Sequence, residues 1–259
     1  MSRIRQTSSG RAWPITALAK VYPRGWHVAR HCHRRGQLIY AKTGVMQVTT
    51  REGIWIVPPQ RALWIPVGMQ HEIHMEGQVA VRMLYLDAPT SAPFGPRCRV
   101  LSVASLLREL ILAAVSAHED KQGERMAMLA PLLLHELQAA DEMALHIPVP
   151  SDPRLRKVCQ RLLAGNVQGE TLEQLAARAG ASSRTLARLF ERELHMSFVR
   201  WRQHVRLARA VSQMSLGRSI KTVARDAGYA SSSAFIDMFR RVLGVTPTDY
   251  LRYAGPPSA

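Results

Sequence analysis

Two histidines separated by one residue, His31 and His33, carry the first recognisable chemistry of this chain. Residues two apart on an extended segment point to the same face, so both imidazoles share one side and Cys32 takes the other. Neutral imidazoles ligate Zn, Mn, Fe, Ni or Cu, and they serve equally well as the hydrogen-bonding wall of a polar pocket. A different chemistry sits far along the chain. Arg184 and Arg188 are four apart, with Thr185 and Ala187 between them, in a stretch of helical spacing that follows Gly180. A guanidinium donates two parallel hydrogen bonds to a guanine edge, so arginines on one helix face suit the reading of DNA.

The elements that must position those arginines occur twice. Thr171 opens a run of helical apolar spacing that ends at Ala179-Gly180, and a Ser-rich restart leads to Arg188-Leu189-Phe190. Ser219 opens a second run that ends at Ala227-Gly228 and leads to Asp237-Met238-Phe239. A hydroxyl residue caps each helix start, and glycine supplies the turn. Each copy is therefore a predicted helix-turn-helix, whose second helix can enter the major groove. Gly180 and Gly228 are 48 positions apart but Phe190 and Phe239 are 49, so the second turn has one inserted residue. Leu186, Leu189 and Phe190 face inward in the first copy, which leaves Arg184, Thr185, Ala187 and Arg188 outward. In the second, Phe235, Met238 and Phe239 take the core and leave Ser232, Ser233, Ile236, Asp237 and Arg240 outward. Asp237 accepts from cytosine but repels phosphate, so the second unit is expected to read less. Between them, 198 to about 216 is predicted as one connecting helix; a separation of about 34 Å would let one chain read two successive major grooves.

Charge agrees with that reading. The net charge is +16; residues 148–259 carry 18 Lys and Arg against 8 Asp and Glu, and residues 1–147 carry 17 against 11. The C-terminal part is the more basic per residue, and its excess is nearly all arginine. Cys32, Cys98 and Cys159 are scattered, with neither a disulfide framework nor a CxxC zinc signature. No apolar stretch approaches membrane-spanning length, so no membrane partner is expected. The basic start Met1-Ser-Arg-Ile-Arg-Gln6 lacks a following apolar segment, which predicts a cytoplasmic protein.

Residues 26–86 read as short strands punctuated by Gly44, Gly53, Pro58-Pro59, Pro66 and Gly68, the pattern of an antiparallel barrel or sandwich. Trp26, Trp55 and Trp64 are expected in its core or pocket wall. From about 101 to 143 the period changes to 3.6, and Lys121-Gln-Gly123 divides the stretch into two helices. Their two apolar stripes exceed what one small barrel needs, which points to a homodimer interface; intradomain packing of both helices is the alternative. Residues 147–153, Ile-Pro-Val-Pro-Ser-Asp-Pro, read as a stiff linker, and Gly255–Ala259 as a frayed tail. The expected division is 1–147 for a sensing domain and 148–259 for a DNA-binding domain.

Two resemblances add to this. Leu175-Ala176, Gly180, Ser183–Phe190, Ala224, Ala227-Gly228-Tyr229, Phe235–Arg241 and Gly244-Val-Thr-Pro247-Thr-Asp-Tyr250-Leu-Arg252 resemble the DNA-binding domain of the AraC/XylS family of transcription regulators over about 153–253. His195 stands where that family usually has glycine, which implies a less comfortable left-handed helix end. Gly25-x5-His31-Cys-His33-x3-Gln37-x6-Gly44 and Pro66-Val-Gly68-Met-Gln-His71 resemble the two motifs of a cupin barrel. That resemblance implies that His31, His33, Gln37 and His71 converge, with Gln37 at a position often held by Glu. Met75 replaces an expected Asn, and Arg61–Ile65 is an insertion before Pro66.

The expectation is a two-domain α+β regulator: an N-terminal antiparallel β-barrel of cupin or jelly-roll type with helices, and an all-α C-terminal domain with two helix-turn-helix units. Its partners would be double-stranded DNA, a second copy, RNA polymerase as a candidate, and a small-molecule or metal effector. A divalent metal at His31, His33, Gln37 and His71, a metal-free polar pocket and an inert structural use of the cluster all remain open. No catalysis is expected. The rival readings are a cupin oxygenase or isomerase with a DNA-binding appendage, and a ligand-independent DNA-binding regulator.

Overall fold

The computed structural model describes residues 14–143, 146–163 and 169–254; the basic start and the tail after residue 254 lie outside them. The N-terminal half is a two-sheet sandwich. Strands β1 (Ile15–Tyr22), β2 (His27–His31), β3 (Gly36–Thr43), β4 (Met46–Thr50), β5 (Gly53–Val57), β6 (Arg61–Ile65), β7 (His71–Met75) and β8 (Val79–Leu86) follow one another without an intervening helix. After a short helix α1 (Ala88–Ser91) come β9 (Arg99–Ser102), α2 (Ser105–Glu119), α3 (Gly123–Ala139), β10 (Glu142–Met143) and β11 (His146–Pro148). One sheet has the order β1-β8-β3-β6-β9-β10 and the other β11-β5-β4-β7-β2; the described pairings are antiparallel.

Strand β3 is apolar on both faces because both are covered. Ile39 and Ala41, with Leu63, Ile65, Val81 and Met83, face Met46, Val48, Trp55, Val57, Ile73 and Met75 inside the sandwich. Leu38 and Tyr40, with Ala62, Trp64, Leu84 and Leu86, face outward onto Leu107, Leu110, Ile111 and Ala114 of α2. Helix α3 closes over α2 through Met126, Leu133 and Leu137. Most of the two apolar stripes is therefore spent within the half; Leu106, Met128 and Leu132 stay exposed.

Several sequence expectations need correction. The helical stretch starts at Ser105 rather than 101 and is flanked by the strands β9 and β10. The linker is partly a strand: His146, Ile147 and Pro148 pair with Trp55, Ile54 and Gly53, and the boundary drawn at 147/148 runs through β11. Trp55 and Trp64 are buried, but Trp26 is 50% exposed, because the turn that carries it lies outside the sandwich.

The C-terminal half is helical: α4 (Pro153–Leu163), α5 (Leu172–Arg178), α6 (Ser183–Leu194), α7 (Phe198–Ser215), α8 (Ile220–Asp226), α9 (Ser232–Leu243) and α10 (Pro247–Ala254). Helix α7 is the connecting helix, about 27 Å long at 1.5 Å per residue. It serves two cores. Trp201, Val205 and Ala208 pack with Leu175, Leu186 and Phe190, whereas Leu207, Val211 and Met214 pack with Val223, Phe235 and Phe239. No described helix is long and apolar enough to cross a membrane.

Candidate nucleic-acid interface and candidate metal centre

The two helix-turn-helix units are built by the same local devices. Thr171 and Gln174 form a reciprocal capping box at the start of α5, satisfying two backbone donors that the first turn leaves free. Gly180 then takes φ +68°, and Ser182 caps α6 by accepting from the Thr185 amide at 3.1 Å. In the second unit Ser219 caps α8, Gly228 takes φ +79°, and Ser231 caps α9. The second cap follows its glycine by one residue more than the first, the insertion seen in the sequence.

On α6, Arg184, Ala187 and Arg188 are exposed and Thr185 is half-buried, its hydroxyl 2.9 Å from that of Ser182. On α9, Ser233, Asp237 and Arg240 are exposed, while Ser232 and Ile236 are half-buried. All nine candidates thus lie on the two second helices, on or beside their solvent faces. A groove of about 1210 Å³ runs beside α6, lined among others by Arg154, Arg188, Arg192 and Arg206. Arg192 is a further cation beside the solvent face of α6, and its spacing of four from Arg188 is the signal that finds it. Two other arginines of α7 are engaged within the protein. Arg202 donates to the Glu170 carbonyl and lies 4.8 Å from the Phe198 ring centre, and Arg209 donates to the carbonyls of Leu162 and Leu163 at the end of α4.

The histidines converge at one end of the sandwich. His31 ends β2 and is paired in register with His71, which begins β7. His33 lies just beyond the end of β2, so the expected strand does not reach it; the turn brings it back instead. Ring centres are 4.3 Å apart for His31–His71, 4.8 Å for His31–His33 and 5.4 Å for His33–His71. One ring nitrogen from each lies within 4.8 Å of the others.

Backbone carbonyls set the tautomers. His31 Nδ1 is 2.8 Å from the Ala29 oxygen and His71 Nδ1 is 3.0 Å from the Met69 oxygen. A carbonyl only accepts, so each Nδ1 carries the hydrogen and each Nε2 is left with a lone pair. The Nε2 atoms of His33 and His71 are buried with no protein partner. Burial, and then the neighbouring His31 and His71, lower His33 to about 4, and burial lowers His71. All this favours neutral imidazoles with free lone pairs, the donor set that a divalent metal requires, so the residues fit such an ion.

Gln37 approaches from the other sheet. It is 2% exposed, donates through Nε2 to the Tyr85 hydroxyl at 3.0 Å, and leaves Oε1 buried without a partner. Tyr85 packs edge-on against His33 at 5.2 Å and donates to Met83 Sδ at 3.6 Å; burial raises its pKa to about 12. Tyr85 carries no motif, and only the register of β3 with β8, which sets it opposite Gln37, places it here. Among the described residues no carboxylate or thiol joins the three histidines.

Comparison with known proteins bears on both halves. An AraC-like ligand binding domain model matches residues 16–138, and a helix-turn-helix domain model matches 175–253. The HTH-type transcriptional regulator NimR of Escherichia coli is 36% identical over 222 residues, which cover 85% of this chain and 81% of NimR. The arabinose operon regulatory protein of E. coli is 29% identical over 136 residues, 51% of this chain and 46% of that protein. Among solved structures, unsaturated fatty acid-bound ToxT of Vibrio cholerae covers 98% of this chain and 100% of its own at 12% identity, with a TM-score of only 0.40. With a relative of this identity along most of its length and both domain models in the order its motifs imply, the chain belongs to the AraC family of helix-turn-helix transcriptional regulators, an N-terminal ligand-binding domain joined to a C-terminal DNA-binding domain.

Proposed function

We propose that this regulator senses its effector through a divalent metal held by His31, His33 and His71. The observation that carries this reading is the pair of Nε2 lone pairs of His31 and His71, whose Nδ1 atoms are held by backbone carbonyls, together with the buried, unpartnered Nε2 atoms of His33 and His71. Three neutral nitrogen ligands leave an open-sided site. The experiment is elemental analysis of untagged protein, with calorimetric titration of wild type and His33→Ala. One metal per chain in wild type and none in the variant supports the reading; no metal in either overturns it and leaves the metal-free pocket.

DNA is read chiefly by α6 through Arg184, Thr185, Ala187 and Arg188. Helix α9, with Ser232, Ser233, Ile236, Asp237 and Arg240, contributes less because Asp237 places a negative charge on its exposed face. The protein works in the cytoplasm as a homodimer, joined by the face of α2 and α3 that bears Leu106, Met128 and Leu132. Effector binding favours one arrangement of domains or subunits over another, a shift of population set by differential affinity. The role is non-catalytic; oxygen consumption by the metal-loaded protein would mark the enzyme alternative.

A further inference from the structure

The donors around the histidine site are all neutral, and this bears on what completes it. Three imidazoles bring no negative charge, and among the described residues no carboxylate stands with them. A dication held there keeps its double positive charge between the half-buried His31 and His33 and the fully buried His71. An unneutralised charge at low dielectric is costly, so the open side favours an anion over water. The second feature lies across the sandwich. Gln37 has its amide hydrogens turned to Tyr85, and Tyr85 has its own hydrogen turned to Met83. Gln37 Oε1 is therefore a buried acceptor that the protein leaves without a donor. A buried acceptor is stabilised by an O–H or N–H from whatever enters the site.

We propose, resting on the metal reading above, that the effector is a small anionic chelator with a hydrogen-bond donor next to its charged oxygen, of the 2-hydroxycarboxylate class. The carboxylate completes the ligand set of the metal, and the adjacent hydroxyl donates to Gln37 Oε1. Gln37 is then a specificity residue for the effector and not a metal ligand, and Tyr85 holds the amide in the orientation that exposes Oε1.

The test uses the full-length protein loaded with Co(II), whose visible absorption reports its ligand set. Glycolate is titrated against acetate, and mandelate against phenylacetate, so that each pair differs only by the hydroxyl. Both hydroxy acids are expected to change the spectrum and to bind roughly tenfold tighter than their partners, about the worth of one good hydrogen bond. Gln37→Leu should keep one Co(II) per chain and lose most of that preference, and Tyr85→Phe should lose part of it. A Co(II) spectrum indifferent to all four anions overturns the proposal while leaving the metal reading intact, as does full preference in Gln37→Leu. Loss of Co(II) in a Gln37→Leu protein that melts like wild type makes Gln37 a ligand and overturns the assignment. If wild type takes up no Co(II), the metal reading fails, and this proposal with it.

Discussion

The guanidinium of Arg61, at the start of β6 in the ligand-binding half, lies 5.0 Å from the centre of the Tyr250 ring in the last helix of the DNA-binding half. Both side chains are buried, and both Arg61 Nε and Tyr250 Oη lack hydrogen-bond partners. The contact joins the halves by packing and by attraction of a cation to a ring face, and the ring face does not need its hydroxyl. Tyr250→Phe should therefore leave the melting temperature unchanged or raise it, since an unsatisfied buried hydroxyl costs about 1–3 kcal/mol. Tyr250→Ala should lower it, with a loss of stability typical of a large aromatic deletion, about 3–5 kcal/mol. Calorimetry of the full chain checks both; a Tyr250→Phe protein as unstable as Tyr250→Ala would mean that the hydroxyl is bonded.

Arg188→Ala should cost about 1–3 kcal/mol at a specific site and relax preference at one base position, with Arg184→Ala similar. Substitutions at Ser232 or Asp237 should matter less. Wild-type affinity should fall by orders of magnitude between roughly 50 and 200 mM salt, because phosphate contacts carry much of it. Anisotropy titrations on a footprinted operator measure all three. A reversed ranking would make α9 the principal reader.

The metal-free protein should lose stability in mild acid. His33, His71 and His146 all have pKa values lowered by burial, His33 to about 4. Unfolded, each takes up its proton near 6.5. As pH falls below that value the unfolded chain binds more protons than the folded one, so the stability present above about 6.5 declines towards pH 4. His146 stacks on Trp55 at 4.0 Å, with the Glu52 carbonyl 3.0 Å from its Nε2, and His204 Nδ1 approaches its carbonyl. Melting temperature against pH should slope down towards acid in wild type and less steeply in His146→Gln. A flat wild-type profile between pH 7 and 4.5 would contradict this.

Helix α6 ends on His195 at φ 52° and ψ 34°, a left-handed conformation that a side chain resists, whereas α9 ends on Gly244 at φ 76°. His195→Gly should stabilise the chain by about 1 kcal/mol. For a protein of this size that raises the melting temperature by about 2–4 °C. A drop on substitution would show that the exposed imidazole contributes more than its backbone strain costs.

If Met128 and Leu132 of α3 line the dimer interface, a Met128→Glu, Leu132→Glu double variant should be monomeric at micromolar concentration and bind DNA more weakly. Light scattering decides it. A wild-type monomer would remove the interface, and a dimeric variant would move it elsewhere on the surface.

What the residues determined by themselves is local. Thr171, Gly180, Ser219 and Gly228 announce the helix-turn-helix units because capping and left-handed turns depend on a few adjacent backbone groups. Even the extra residue in the second turn is legible there, and the family resemblance adds the left-handed His195. The histidines are partly local too: spacing alone pairs His31 with His33, although the strand expected to carry both stops at His31.

What brings His71 beside them is the register of β2 with β7, and what brings Gln37 to Tyr85 is the pairing of β3 with β8. Strand partners are chosen by burial across the whole sandwich, a non-local quantity that no spacing encodes. The same holds for β11. Ile-Pro-Val-Pro reads as a linker because prolines break ladders, yet His146 and Ile147 supply an edge strand to β5, and Pro148 accepts the Trp201 indole hydrogen at 3.0 Å. An edge strand tolerates proline when its N–H side is not needed, and only the assembled sheet decides where its edge lies.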